Sequence, residues 1–181
     1  MFTPLNLRKW VDEHRHLLRP PVGNRAVWVD ERETIIMVVG GPNARNDYHV
    51  QPTEEFFYQV EGDMNLRIIH PDTGRPHDLP IREGEIYLLP ANVPHSPQRP
   101  AGTVGLVVEQ RRPDGPQDEL RWYCAGCHAI VHQARFALVN IATDLREIME
   151  RFWGDDALRT CDACGVKVEQ PGEAQPVPPA A

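Results

Sequence analysis

With 181 residues, 41% hydrophobic and 25% charged, the chain suits one domain with at most a small appendage and can bury a real core. A formal net charge of −7 without a dense lysine or arginine tract excludes nucleic acid and anionic membrane as expected partners. Nothing from Met1 to His16 has the apolar core of a secretory signal and no apolar run reaches a membrane span, so a cytoplasmic protein with reduced cysteines is expected.

Residues 6–18 are predicted as a short helix. Asn6 can cap it, Leu7, Trp10, Val11 and His14 share one face, and Pro20-Pro21 stops it. From Ala26 to Tyr123 the texture changes to short β-rich runs at 26–29, 34–39, 55–60, 65–69, 85–89, 104–110 and 119–123. Turn residues such as Gly40-Gly41-Pro42, Glu61-Gly62-Asp63 and Pro71-Asp72-Thr73-Gly74 separate them. Many short strands without intervening helices predict an all-β-dominated sandwich or barrel. Residues 143–153 are amphipathic, with Leu145, Ile148, Met149 and Phe152 at helical spacing and Asp144 with Glu147 as a capping pair. After Gly172 the tail is proline-rich and expected to be disordered. The division is 1–25 helix and lead-in, 26–123 barrel, 124–170 four-cysteine region and 171–181 tail.

Cys124-Ala125-Gly126-Cys127 and Cys161-Asp162-Ala163-Cys164 are two CxxC hairpins flanking the second helix. Four thiolates from two tight turns complete a tetrahedral site for structural iron or zinc, with no position open for catalysis. Such a site would pin the C-terminal helix to the barrel, and its loss by serine replacement would lower stability while leaving a folded barrel active. His128 and His132 are read as local polar residues.

Two spacings carry the chemistry: His49-x5-Glu55-x6-Gly62 and Gly84-x5-Pro90-x4-His95. They resemble the two metal-binding motifs of the cupin superfamily, a resemblance that implies a double-stranded β-helix or jelly-roll barrel with motif side chains converging on one metal. Two departures stand out. Gln51 occupies the usual second histidine of the first motif, and Asn92 the usual glycine of the second. What remains, His49, Glu55 and His95, is a two-histidine, one-carboxylate set that leaves coordination positions for substrate and O2, as in non-haem Fe(II) oxygenases. Glu54 is the alternative carboxylate, but only Glu55 has the six-residue spacing to Gly62 and shares a strand face with Phe57 and Gln59. His14, His16, His70 and His77 are read as surface or hydrogen-bonded residues.

A closer resemblance covers nearly the whole chain. Pro20-Pro21-Val22-Gly23-Asn24-Arg25, Val38-Val39-Gly40-Gly41-Pro42-Asn43, Asp47-Tyr48-His49, Glu54 to Gln59, Pro94 to Pro100 and the paired CxxC motifs are similar to the 3-hydroxyanthranilate 3,4-dioxygenase family. The resemblance implies a homodimeric enzyme that uses Fe(II) and O2 to open 3-hydroxyanthranilate to 2-amino-3-carboxymuconate semialdehyde, the precursor of quinolinate. NAD precursor synthesis, tryptophan breakdown and nitroaromatic catabolism could each use that step. It further implies Glu55, Arg99 and Glu109 in contact with substrate, with Arg99 on its carboxylate and Glu109 on its amine or hydroxyl. Arg45 on the dioxygen side and the iron that the family often carries in a rubredoxin-like cysteine site follow likewise. Asp47 is placed to orient Arg45 or His49. Each has a plainer reading: Arg99 at the surface, Glu109 opening the polar loop after its strand, Arg45 bridging a nearby carboxylate. The competing functions are another cupin dioxygenase acting on a substituted aminophenol, and a non-catalytic cupin that binds a small acid through its metal.

Overall fold

The computed structural model describes residues 3–19, 23–29, 33–112, 118–137, 141–174 and 177. The first predicted helix is α1, Leu7–His14. Asn6 caps it, its side chain accepting from the Lys9 backbone N–H at 3.0 Å, and one 3-10 turn, Arg15–Leu17, follows. The Pro20-Pro21 stop lies outside the described residues.

The strands are β1 (Asn24–Ala26), β2 (Thr34–Gly40), β3 (Asp47–Val50), β4 (Glu55–Glu61), β5 (Met64–Ile69), β6 (Pro76–Ile81), β7 (Ile86–Leu89), β8 (His95–Gln98), β9 (Val104–Gln110), β10 (Asp118–Tyr123) and β11 (Ile130–Phe136). They form two antiparallel sheets, ordered β1-β2-β9-β4-β7 and β11-β10-β3-β8-β5-β6. Met37, Phe57 and Val107 of the first sheet bury themselves in one cluster with Met64, Leu66 and Ile68 of the second. This is the antiparallel cupin barrel expected from the motifs. Along β4 the side chains alternate as a pleated strand must, so Glu55, Phe57 and Gln59 are buried together.

Helix α1 packs on the first sheet, with Val11 against Val38 and Val104 and with Leu106 and Val60 at the margin. Ile86 and Leu88 of β7 stay 65% and 53% exposed on the sheet's edge. The run Glu85 to Leu89 reads as buried from its composition. Yet Leu89 is buried and Tyr87 half-buried while their neighbours face outward, because an edge strand of a sheet with one inner face must alternate.

Helix α2, Ile141–Gly154, begins earlier than the capping pattern suggests, so Asp144 lies in its first turn rather than at its cap. Its Leu145, Ile148, Met149 and Phe152 pack on Leu120 and Trp122 of β10. Phe152 stacks on Trp122 with ring centroids 4.0 Å apart. A short α3, Asp156–Arg159, capped by Asp155, leads into the second CxxC. Because β11 continues the six-stranded sheet beyond Tyr123, the first CxxC sits between two strands of that sheet. Most of the tail expected to be disordered, 175–176 and 178–181, lies outside the described residues. Among the described residues no helix is long and apolar enough to cross a membrane.

Candidate active site and cysteine knuckle

His49 on β3 and His95 at the start of β8 face each other across paired strands, with ring centroids 5.4 Å apart. Glu55 opens β4 on the opposite sheet. All three are buried, and one ligand atom from each lies within 4.8 Å of the others. Glu54 is exposed.

The ring nitrogens have divided roles. A carboxylate and a carbonyl can only accept, so His49 Nε2–H donates to Asp118 Oδ1 at 2.7 Å and His95 Nδ1–H donates to the Val93 carbonyl at 3.0 Å. In the neutral tautomer the other nitrogen of each ring keeps a lone pair. His95 Nε2 stands 2.9 Å from Glu55 Oε2, yet that oxygen is buried without a donor in hydrogen-bonding line. Two anchored imidazoles and an orphaned carboxylate oxygen form the donor set that a divalent cation completes. Burial, the largest influence, pushes the His49 imidazole below its ordinary value and so favours its neutral form. Burial also opposes ionisation of Glu55 and His95, but their mutual attraction prevails, lowering the carboxyl and raising the imidazole.

A cavity of about 790 Å³ surrounds this set, and Arg45, Arg99 and Glu109 line it as well. Arg99 is only 1% exposed. Its Nη1 donates to Gln59 Oε1 at 2.6 Å, while its Nε has no acceptor among the described residues. Burial holds this guanidinium down to about 10. Glu109 is pushed up to about 7 by burial and then by the charge of Glu55, against the pull of Arg112. Arg45 does bridge a neighbouring carboxylate: its Nε reaches both Asp47 oxygens at 3.2 and 3.1 Å, and Nη2 closes the fork. Gln98 brackets the Arg45 backbone, accepting from its N–H at 3.1 Å and donating to its carbonyl at 2.8 Å. Leu145, Met149 and Trp153 of α2 supply an apolar wall, with exposed Arg146 and Glu150 at the mouth.

Residues 1–153 match the family model described as 3-hydroxyanthranilic acid dioxygenase. The chain belongs to that family. The 3-hydroxyanthranilate 3,4-dioxygenase of Ruegeria pomeroyi is 51% identical over 164 residues, covering 90% of this chain and 89% of the relative. The protein of the same name from Brucella anthropi is 50% identical over 175 residues, covering 96% and 94%. Among solved structures, a cupin-2 domain containing protein from Shewanella frigidimarina aligns over 59% of this chain and all of its own, at 17% identity and a TM-score of 0.46.

In this dioxygenase family member, sequence reasoning overlooked three polar residues close to the site. Asp118 anchors His49. Arg112 joins Glu109 at 2.5 Å and Asp118 at 3.2 Å and also donates to Gln51. Gln59 holds Arg99. Gln51 stands where the motif usually has a histidine, and its amide oxygen is given to Arg112. The available signal was the polar residue at each inward position: Gln59 follows Glu55 and Phe57 at period two, and Asp118 opens a strand paired with β3. Asn92 takes the left-handed conformation, φ 63°, that glycine supplies in the usual motif and that asparagine tolerates.

The four cysteines come together in a second cluster, with all four sulfurs within 4.8 Å of one another. Cys124 Sγ lies 3.4 Å from Cys164 Sγ, and Cys127 Sγ 3.6 Å from Cys161 Sγ. A tetrahedral zinc–thiolate site with metal–sulfur bonds of about 2.3 Å has sulfur–sulfur edges of roughly 3.8 Å. The fit is close. His128 and Gly165, each just past the second cysteine of its pair, adopt positive φ (62° and 74°) and turn the chain back. The Cys127 backbone N–H, outweighing burial and aided by that of Gly126, holds the Cys124 thiol down to about 6. A thiolate held this way is ready to ligate.

Proposed function

We propose that the barrel cavity cleaves the ring of 3-hydroxyanthranilate with O2, using iron held by His49, Glu55 and His95. The observation that carries this reading is Arg99, a fully buried guanidinium on the cavity wall with no carboxylate partner among the described residues and an unfilled Nε. A buried charge of that kind calls for an anion, and its planar fork matches a carboxylate. Glu109 faces the same cavity and would accept from the substrate's amine or hydroxyl. Arg45, clamped by Asp47 and Gln98, would present positive charge on the dioxygen side. When bound, iron supplies the redox chemistry that joins O2 to the ring. The chain's own part is placement. Arg99 and Glu109 fix the two polar ends of the ring, and Met149 and Trp153 offer its face an apolar, water-excluding surface. The four-cysteine cluster would hold a structural iron or zinc.

The test compares 3-hydroxyanthranilate with 2-aminophenol, which lacks the carboxylate, by oxygen uptake on Fe(II)-loaded protein. Loss of one charge-assisted recognition should lower kcat/KM by about 10- to 100-fold. Equal turnover of the two would overturn the assignment of Arg99 and favour an aminophenol dioxygenase. A homodimer is the second part of the proposal, supported by the exposed Ile86 and Leu88 on an apolar, uncovered edge strand. Sedimentation of an Ile86→Lys, Leu88→Lys variant as a monomer would be the expected result.

A further inference from the structure

Next to the residues expected to touch iron or substrate, a buried polar cluster is built on Arg112. Its guanidinium is 5% exposed and fully engaged. Nη1 meets Glu109 Oε2 at 2.5 Å and the Gln110 carbonyl at 2.9 Å, Nε meets Asp118 Oδ1 at 3.2 Å, and Nη2 donates to Gln51. Asp118 is completely buried, and its Oδ1 also receives the His49 Nε2–H at 2.7 Å. One arginine therefore reaches, through Asp118, the ring of a proposed iron ligand and, directly, the proposed acceptor of the substrate's polar group.

Stability alone gives little reason for this arrangement. Burying three charges costs several kcal/mol per ion in desolvation, and packed apolar side chains of the same volume often serve a core as well or better. A ligating histidine, by contrast, gains from a carboxylate on its distal nitrogen, which fixes the tautomer and the ring's tilt. Asp118 provides that carboxylate. It could itself swing, since its Oδ2 is buried with no partner. Arg112 stops it by holding Oδ1, and the same guanidinium fixes Glu109.

We propose that Asp118 and Arg112 are positioning residues that lock the His49 imidazole and the Glu109 carboxylate into one unit, so that the iron site and substrate recognition are coupled. This rests on the reading of His49 as an iron ligand and Glu109 as a substrate contact. Fe(II) affinity of the barrel site, measured by competition with a chromophoric chelator while Zn(II) fills the cysteine cluster, is the decisive readout. Asp118→Asn keeps the shape and removes the charge. Its Fe(II) dissociation constant should rise about 10- to 100-fold at an unchanged near-ultraviolet circular dichroism spectrum. An affinity within twofold of the unaltered protein, with His49→Ala having lost iron, overturns the relay and leaves the ligand assignment standing. Retention of iron by His49→Ala overturns the ligand assignment and the relay with it. Should Asp118→Asn not fold, Arg112→Lys carries the test, because an ammonium cannot span Asp118, Glu109 and Gln51 together. Both Fe(II) affinity and anaerobic affinity for 3-hydroxyanthranilate should then fall at least fivefold. A loss confined to one of the two, or to neither, overturns the coupling.

Discussion

Arg99 owes its place to two uncharged neighbours. Gln59 accepts from Nη1 and anchors itself by donating to the Gly62 carbonyl at 2.7 Å. Gly105 leaves the space the guanidinium fills: a Cβ there would lie 2.5 Å from Arg99 Nη1 and 2.5 Å from Gln59 Oε1. Gly105→Ala should therefore displace the fork without touching the proposed iron ligands. Overpacking of this kind costs about 1–3 kcal/mol, and if it falls on substrate recognition KM rises by roughly 5- to 150-fold. Steady-state kinetics beside an iron assay checks this; an unmoved KM would mean the guanidinium relocates freely. At this scale the sequence was legible where spacing carries meaning. His49, Glu55 and His95 fall out of motif arithmetic. Asp118 does not, because its partner His49 is 69 positions away and no local pattern links a strand's first aspartate to it. Arg112, whose partner Gln51 is 61 positions away, escapes local pattern for the same reason.

At the scale of elements, α1 is tied to the barrel by more than its apolar face. Arg15, in the 3-10 turn, grips the Glu61 carboxylate at the end of β4 with both Nη atoms, at 2.8 and 2.7 Å. The hydrogen bond from Arg15 holds the Glu61 carboxyl below its ordinary value. A carboxylate lowered by folding contributes stability above its unfolded pKa and loses it as pH falls through the folded one. The pair is 43% and 36% exposed, so solvent screening limits it to under about 1 kcal/mol. Urea denaturation of Glu61→Gln should show that small deficit at neutral pH and none once acid has protonated the wild-type carboxylate. A deficit of equal size at both would assign it to packing. The helix was readable because Asn6, Leu7, Trp10 and Val11 obey a 3.6-residue period. The strands β2, β4, β5, β7, β9 and most of β10 were readable from β-branched and aromatic runs. Four strands were not, and β1, Asn24–Ala26, meets the expected 26–29 run at Ala26 alone. β3, Asp-Tyr-His-Val, is buried at every position, and β8, His-Ser-Pro-Gln, hides polar side chains, so neither alternates in hydropathy. Their inward positions serve the site rather than the core. β6 carries Pro76 and Pro80 on an exposed edge, and β11 has no fully buried position.

At the scale of the molecule, the cavity is shared between the barrel and the C-terminal region. Phe152, fully buried on Trp122, fastens α2 to the six-stranded sheet, and Leu145, Met149 and Trp153 of the same helix close the cavity. Phe152→Ala should cost about 3–5 kcal/mol of stability, read from chemical denaturation; less than 1 would mean the helix is held elsewhere. The cysteine knuckle fastens the other end of this wall. Four residues beyond Cys164, Val168 enters the cluster around Trp122 and Phe152. The Glu169 carbonyl then accepts from Asn46 Nδ2 at 2.6 Å, beside Arg45, and Gln170 lines the cavity itself. A purely remote structural metal, as the sequence alone implies, would leave catalysis untouched when removed. The path of this segment argues for a measurable effect on substrate binding. Cys161→Ser should lower the melting temperature and raise KM for 3-hydroxyanthranilate by roughly 3- to 10-fold, with kcat and barrel iron unchanged, the pattern of a lost contact made equally in ground and transition states. If KM stays put while stability falls, the Trp122–Phe152 packing holds the wall unaided and the knuckle serves stability alone. If kcat falls with full barrel iron, the segment from Val168 to Gln170 reaches the reacting end of the substrate rather than its periphery.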